Sequence, residues 1–265
     1  MLDFLRYLLT LILSTLGVFF LCGLTVHLIA RAFSALMGRG SGAVFDVTSV
    51  IGTPVHELGH AAMCKLFCHK ITRMKLWNPR PENGVYGFVE HSYSKRNLWA
   101  RFGNLFIGMG PLFSGLGVTV LTLWLCFPSL WEEYLQASAF TANAPSLTDV
   151  FADVFLLFKA LPRAFASSWL KSLLGLVIIL PVSLHISMSP QDVKGSLGAL
   201  LPTLVFLVLF ALATFFTGIR APIASALLLF SCRLLSLFAL VIGFSLLWLL
   251  LALLIRGVKI FISWF

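Results

Sequence analysis

The chain has 265 residues, 59% of them hydrophobic and 11% charged, with a mean hydropathy of +0.98. So few polar groups cannot cover a water-facing surface, which excludes an ordinary soluble protein and points to a chain embedded in a lipid bilayer. The net charge of +9 is then read as basic loops sorted to the cytoplasmic side, and no nucleic-acid partner is expected.

A membrane-crossing helix needs about 20 apolar residues. Six segments qualify: Phe4 to Ala30, Val44 to Phe67, Phe102 to Phe127, Trp169 to Met188, Leu197 to Gly218 and Ile223 to Ile255. The predicted fold class is therefore an all-α polytopic membrane protein with about six transmembrane helices. The first apolar run follows Arg6, exceeds a signal peptide's core and lacks a convincing cleavage site, so it reads as a retained span. The second is the least apolar, holding Asp46, Thr48, Ser49, Thr53, His56, Glu57 and His60. Polar residues at membrane depth must face protein, water or a ligand.

Two connections are longer than turns. Cys68 to Arg101 carries Lys70, Arg73, Lys75, Arg80, Lys95, Arg96 and Arg101 against Glu82 and Glu90, which places it in the cytoplasm. Within it Asn83-Gly84 precedes Val85-Tyr86-Gly87-Phe88-Val89, the signature of a small β-hairpin insertion. Pro128 to Ser168 mixes apolar residues with Glu132, Glu133, Asp149, Asp153, Lys159 and Arg163, a pattern of amphipathic helices at the interface. Cys22, Cys64, Cys68, Cys126 and Cys232 sit in or beside apolar segments and read as packing residues rather than a disulfide framework.

His56-Glu57-Leu58-Gly59-His60 carries the chemistry. On a helix the two histidines lie four residues apart on one face, so both imidazoles can reach one metal ion, with Glu57 beside it as the base that deprotonates water. Small residues at Gly59, Ala61 and Ala62 let another backbone approach, and Gly52 and Pro54 are placed to loosen the helix before the site.

Tetrahedral zinc needs a third protein ligand. Asp192 leads, in the polar stretch Ser183 to Gly195 at the end of the fourth span; its competing role is a helix cap after Ser189-Pro190. His185 is the alternative ligand or a hydrogen-bond donor to the oxyanion, and His91 follows. Asp149 and Asp153 rank lower, on the connection assigned to the opposite face, and His27 and His69 lack supporting context. Asn104 and the glycines from Gly108 to Gly117 read as a helix-packing surface.

The HELGH helix, the basic hairpin loop, the Gly-rich third span and the Asp-bearing fourth span resemble the site-2 protease family of intramembrane zinc peptidases, best its compact bacterial members. The resemblance covers Val44 to about Gly195. It divides the chain into a leading helix (residues 1–43), a metalloprotease core (44–195) and C-terminal helices (196–265). It implies His56, His60 and Asp192 as Zn2+ ligands, Glu57 as catalytic base and a membrane-protein or peptide substrate cleaved in or near the bilayer. It further implies a bacterial cell membrane, and the basic loop places the active site toward the cytoplasm. The family's aspartate motif is met by Pro190 and Asp192 but not by its leading asparagine, near whose place His185 stands. Asn143 to Asp149 imitates part of the same motif. A zinc-containing scaffold that does not cleave, and a transporter, are the alternative functions.

Overall fold

The computed structural model describes residues 1–81, 84–140 and 147–263. The chain is overwhelmingly helical with one two-stranded sheet. Among the described residues, three helical stretches are long and apolar enough to cross a membrane: Leu2–Met37, Pro190–Phe215 and Arg220–Ile262. They mark a membrane-embedded protein. A bent pair, Leu98–Gly108 with Gly110–Cys126, makes a fourth if it counts as one span.

The first stretch is α1 (Leu2–Ile12), a π-helical turn (Leu13–Gly17) and α2 (Val18–Met37). A π turn widens the helix around a carbonyl that needs an outside donor; here the Ser14 carbonyl accepts from Ser231 Oγ at 2.9 Å. Gly38, with φ of +56°, ends α2 in a conformation that side chains disfavour.

α3 (Gly40–Leu66) carries HELGH and is inverted relative to a water-soluble helix. It buries Thr48, Ser49, Thr53, Glu57 and His60, while Val47, Val50, Leu58 and Leu66 face outward. That inversion suits apolar surroundings, where polar groups must find partners within the protein. Its polarity is why it fails a length-and-hydropathy test for a span that its 27 residues could otherwise meet. The helix also runs unbroken through Gly52 and Pro54, so the expected loosening is corrected. Gly52 is needed for space: a Cβ there would come within 2.7 Å of His185 Cβ.

β1 (Lys70–Lys75) and β2 (Phe88–Ser92) pair antiparallel with a bulge between Ile71 and Arg73. The expected hairpin exists, but its second strand lies later than Val85–Val89, and Asn83 is outside the described residues. Before β2, Val85 forms an isolated bridge and the Tyr86 carbonyl accepts from Asn78 N–H at 2.6 Å, while Tyr86 and Gly87 come down onto α3. Tyr86 donates its hydroxyl to Asp46 Oδ1 at 2.7 Å, Trp77 Nε1 donates to Ser49 Oγ at 3.0 Å, and Gly87 sits against Thr53 and Glu57.

The expected single third span is two helices, α4 (Leu98–Gly108) and α5 (Gly110–Cys126), bent by 57°. The cause is close approach on both sides of Met109. A Cβ on Gly108 would lie 2.6 Å from the Asp192 carbonyl oxygen, and one on Gly110 would lie 2.7 Å from Gly59 backbone. Pro111 tolerates the start of α5 because its missing N–H is one a helix leaves free there.

The second connection holds α6 (Pro128–Phe140) and α7 (Leu147–Ser167). Leu130, Tyr134, Ala160 and Ala164 are buried with Ile179 and Phe244, so these helices share a core with α8 (Trp169–His185) and α10 (Arg220–Ile262). α8, with 17 residues, is shorter than the fourth span expected, and α9 (Pro190–Phe215) begins earlier than the fifth. Asp192 therefore lies in the first turn of α9. Among the described residues three helical stretches, or four with the bent pair, are long and apolar enough to cross, so six spans are not confirmed.

Candidate metal centre

His56 and His60 stand one turn apart on α3, and α9 brings Asp192 to them. Their ligand-type atoms all lie within 4.8 Å of one another. The two Nε2 atoms are 3.2 Å apart, His60 Nε2 lies 3.2 Å from Asp192 Oδ1, and His56 Nε2 lies 3.7 Å from Oδ2.

The proton inventory gives this cluster its meaning. His56 Nδ1 is 2.8 Å from the His185 carbonyl, and His60 Nδ1 is 2.7 Å from the Ile107 carbonyl. A carbonyl only accepts, so each Nδ1 carries the hydrogen and each neutral ring has a bare Nε2. Two lone pairs then face each other beside a carboxylate, an arrangement that a metal ion, or protons in its place, would satisfy. Two imidazole nitrogens bound to a tetrahedral zinc would sit roughly 3.3 Å apart. Orientation of ligand imidazoles by backbone carbonyls is the usual outer-contact arrangement of such sites. The donor set of two imidazoles and one carboxylate fits a metal ion.

Cap and ligand, alternatives in the sequence, coexist at Asp192. Its Oδ2 accepts from Ser189 N–H at 2.7 Å, and Ser189 Oγ accepts from Asp192 N–H at 3.2 Å, a reciprocal capping box on α9. The cap fixes the carboxylate that the histidines meet.

Glu57 is buried, at 7% exposure, and has no hydrogen-bond partner among the described residues. It lines a cavity of about 1080 Å³ together with His56, His60 and Asp192. Gly87 comes down beside it: a Cβ there would lie 2.8 Å from Glu57 Cγ. A free carboxylate next to a ligand cluster in a cavity is placed to exchange a proton with water.

His185 serves the cluster through its backbone. Thr48 Oγ1 donates to the Val44 carbonyl at 2.8 Å, so at 3.0 Å it accepts from His185 Nε2–H. With that hydrogen engaged, the imidazole has no second one for an oxyanion, and the carbonyl orients His56. His91 is outside the cluster and pairs with His69, Nδ1 to Nδ1 at 2.9 Å. Burial, then the neighbouring His69 and His60, hold His91 below the ordinary histidine range. Asn143 to Ser146 and the side chains of Asp149 and Asp153 lie outside the described residues.

Sequence reasoning missed the Ile107 and His185 carbonyls, which have no residue-type signature. It also missed the latch between Tyr86 and Asp46. Burial and that carboxylate push the Tyr86 phenol up to about 12, so it stays a donor. No protein-family model, curated protein or solved structure matches the chain. The His56, His60 and Asp192 group stands on its own geometry as a site able to hold a metal ion.

Proposed function

We propose that the protein is a zinc-dependent peptidase of site-2 protease type, hydrolysing peptide bonds of membrane-protein segments in or beside the bilayer. The observation that carries this reading is the convergence of two bare imidazole nitrogens and a capped carboxylate next to a buried glutamate without a hydrogen-bond partner among the described residues, in one cavity of an apolar helical protein.

His56, His60 and Asp192, which line the cavity, would hold the ion. When bound, zinc supplies Lewis acidity, which acidifies water and polarises a carbonyl. Glu57 takes the proton from water as its oxygen bonds to the scissile carbonyl carbon. It then delivers that proton to the nitrogen as the carbon–nitrogen bond breaks, giving a free acid and a free amine. Among the described residues Glu57 has no hydrogen-bond partner to compete for the proton, and Gly87 limits the space beside it.

An amide inside a helix is shielded by its own hydrogen bonds, so the substrate must be extended at the cut. Val85 to Val89 line the cavity, and β2 pairs with β1 along one edge in a two-stranded sheet, so the other edge is where an extended chain would add as a strand. The basic residues around the hairpin, among them Lys70, Arg73, Lys75, Lys95 and Arg96, orient this face to the cytoplasm under the positive-inside rule.

The test is Glu57→Gln in the full-length protein. Zinc content measured by elemental analysis stays at the wild-type level, while cleavage of an unfolded reporter falls by about 10³-fold or more. Cleavage retained by that variant would refute the mechanism.

A further inference from the structure

A second histidine pair, unused by the metal centre, reaches the cavity through one of its members, His91. His69 is buried, and its Nε2 lies 2.8 Å from the Ala100 carbonyl. That nitrogen carries the hydrogen, and the neutral ring has a bare Nδ1. His91 Nδ1 stands 2.9 Å away, so His91 supplies the hydrogen between the rings. Its own Nε2 is then bare and has no hydrogen-bond partner among the described residues, while the residue lines the cavity with Glu57 and Asp192. Tyr93 stacks on His69 at 4.5 Å and 24°, which fixes the plane of the pair. An uncharged His91, favoured by its burial, presents a hydrogen-bond acceptor in a fixed direction.

An unwound peptide entering an apolar protein brings main-chain N–H groups that have lost their helical partners, and each requires an acceptor. His91 continues the strand that begins beside Glu57: Gly87 touches Glu57, then Phe88, Val89 and His91 follow along β2. At about 3.3 Å per residue, His91 lies roughly 13 Å along that strand from Gly87. A chain laid beside it with its reacting bond at Glu57 would pass His91 about four residues further on.

We propose that His91 is a substrate-contacting residue whose Nε2 accepts a hydrogen bond from a main-chain N–H of the bound extended peptide. His69 is the positioning residue that fixes its tautomer. The inference rests on the peptidase reading for the nature of the ligand, and its test does not require cleavage.

The probe is a short fluorescein-labelled Val-Thr repeat peptide, bound to the full-length, zinc-loaded Glu57→Gln protein in detergent micelles and followed by anisotropy. His91→Leu weakens binding about fivefold to tenfold, the effect of one hydrogen bond, with zinc content unchanged. His91→Gln, whose Oε1 can accept, stays within about threefold of the parent. N-methylating one amide, about four residues from the site of cutting, weakens binding to the parent and has no added effect in His91→Leu. Nitrogen-15 spectra of histidine-labelled protein show His91, assigned by its loss in His91→Leu, with Nδ1–H and bare Nε2. The Nε2 signal moves when peptide is added. An Nε2–H tautomer, equal affinity of parent and His91→Leu, or absence of peptide binding would overturn the proposal. A wild type that binds peptide through His91 but never cuts it would instead overturn the peptidase reading alone.

Discussion

Two pairs of histidines in this protein look alike and mean different things. His56 and His60 bring ring nitrogens to 3.2 Å, and His69 and His91 bring theirs to 2.9 Å. In the first pair both remaining nitrogens are committed as donors to backbone carbonyls, so no hydrogen is available between the rings. In the second only His69 is so committed, and His91 supplies one. The distances scarcely differ; the positions of the other hydrogens do. A facing histidine pair can hold a metal ion when its outward nitrogens are both occupied by acceptors, and can close on itself as a hydrogen-bonded dyad when one is free.

The sharpest way to break that comparison is to remove the metal. Stripping zinc with a chelator replaces the ion with protons, so the nitrogen-15 signals of His56 and His60 shift while those of His69 and His91 stay in place. The same contrast appears in variants. His60→Ala loses measurable zinc, about 10²-fold or more in affinity, and His69→Ala retains it. If His69→Ala released the metal or His60→Ala kept it, the assignment of the two pairs would be reversed.

Asp192 allows a finer cut, because ligand and cap are one side chain. Asp192→Asn retains an oxygen for Ser189 N–H but loses the charge, and zinc affinity falls by at least about tenfold. Ser189→Ala keeps the charge and loses half of the capping box, so stability falls by about 1 kcal/mol with zinc still bound. Equal zinc loss in both would mean that position, not charge, is what Asp192 supplies.

The close meeting of α3 and α5 gives the next effect. A Cβ on Gly110 would press on the Gly59 carbonyl and the His60 nitrogen at 2.7 Å. Gly110→Ala should destabilise the protein by about 1–3 kcal/mol in denaturant unfolding, since backbone cannot rotate aside. The same substitution at Gly117, where nothing lies within 4 Å, serves as the control and leaves stability unchanged or slightly higher.

How much of this was legible follows from which atoms do the work. His56, Glu57 and His60 announce themselves because side-chain type and helical spacing encode the chemistry. Asp192 was legible as a polar residue in a polar stretch, though its double role needed coordinates. The carbonyls of Ile107 and His185 were not legible, since every residue has one and only the fold chooses which two point at the histidines. The bend at Met109 was hidden because Gly108 and Gly110 answer to different neighbours, Asp192 and Gly59, that are remote in sequence. The apolar runs gave an all-helical membrane protein, but their number does not fix the number of spans: the third is bent, the fourth is short, and α3 hides polar groups behind an apolar outer face. His69 lacked context in the sequence because its context is Ala100 and His91, which reach it through the hairpin and the start of α4.

The smallest expected effect concerns the segment over Glu57. Tyr86, the residue before Gly87, is joined to Asp46 across 2.7 Å. Tyr86→Phe removes that donor and leaves the ring, so the contact it deletes is one partly exposed, charge-assisted hydrogen bond. Exposure reduces its worth to about 1 kcal/mol or less. If the bond only stabilises the fold, unfolding shifts by that amount and kcat/KM is unchanged. If it holds Gly87 against Glu57, the loss falls on catalysis: KM or kcat changes by up to about fivefold while zinc content and unfolding stay near wild type. Asp46→Asn separates the two outcomes, because its amide oxygen still accepts from Tyr86 and preserves the geometry without the charge. A kinetic defect in Tyr86→Phe that is absent in Asp46→Asn assigns the segment's placement to the hydrogen bond itself.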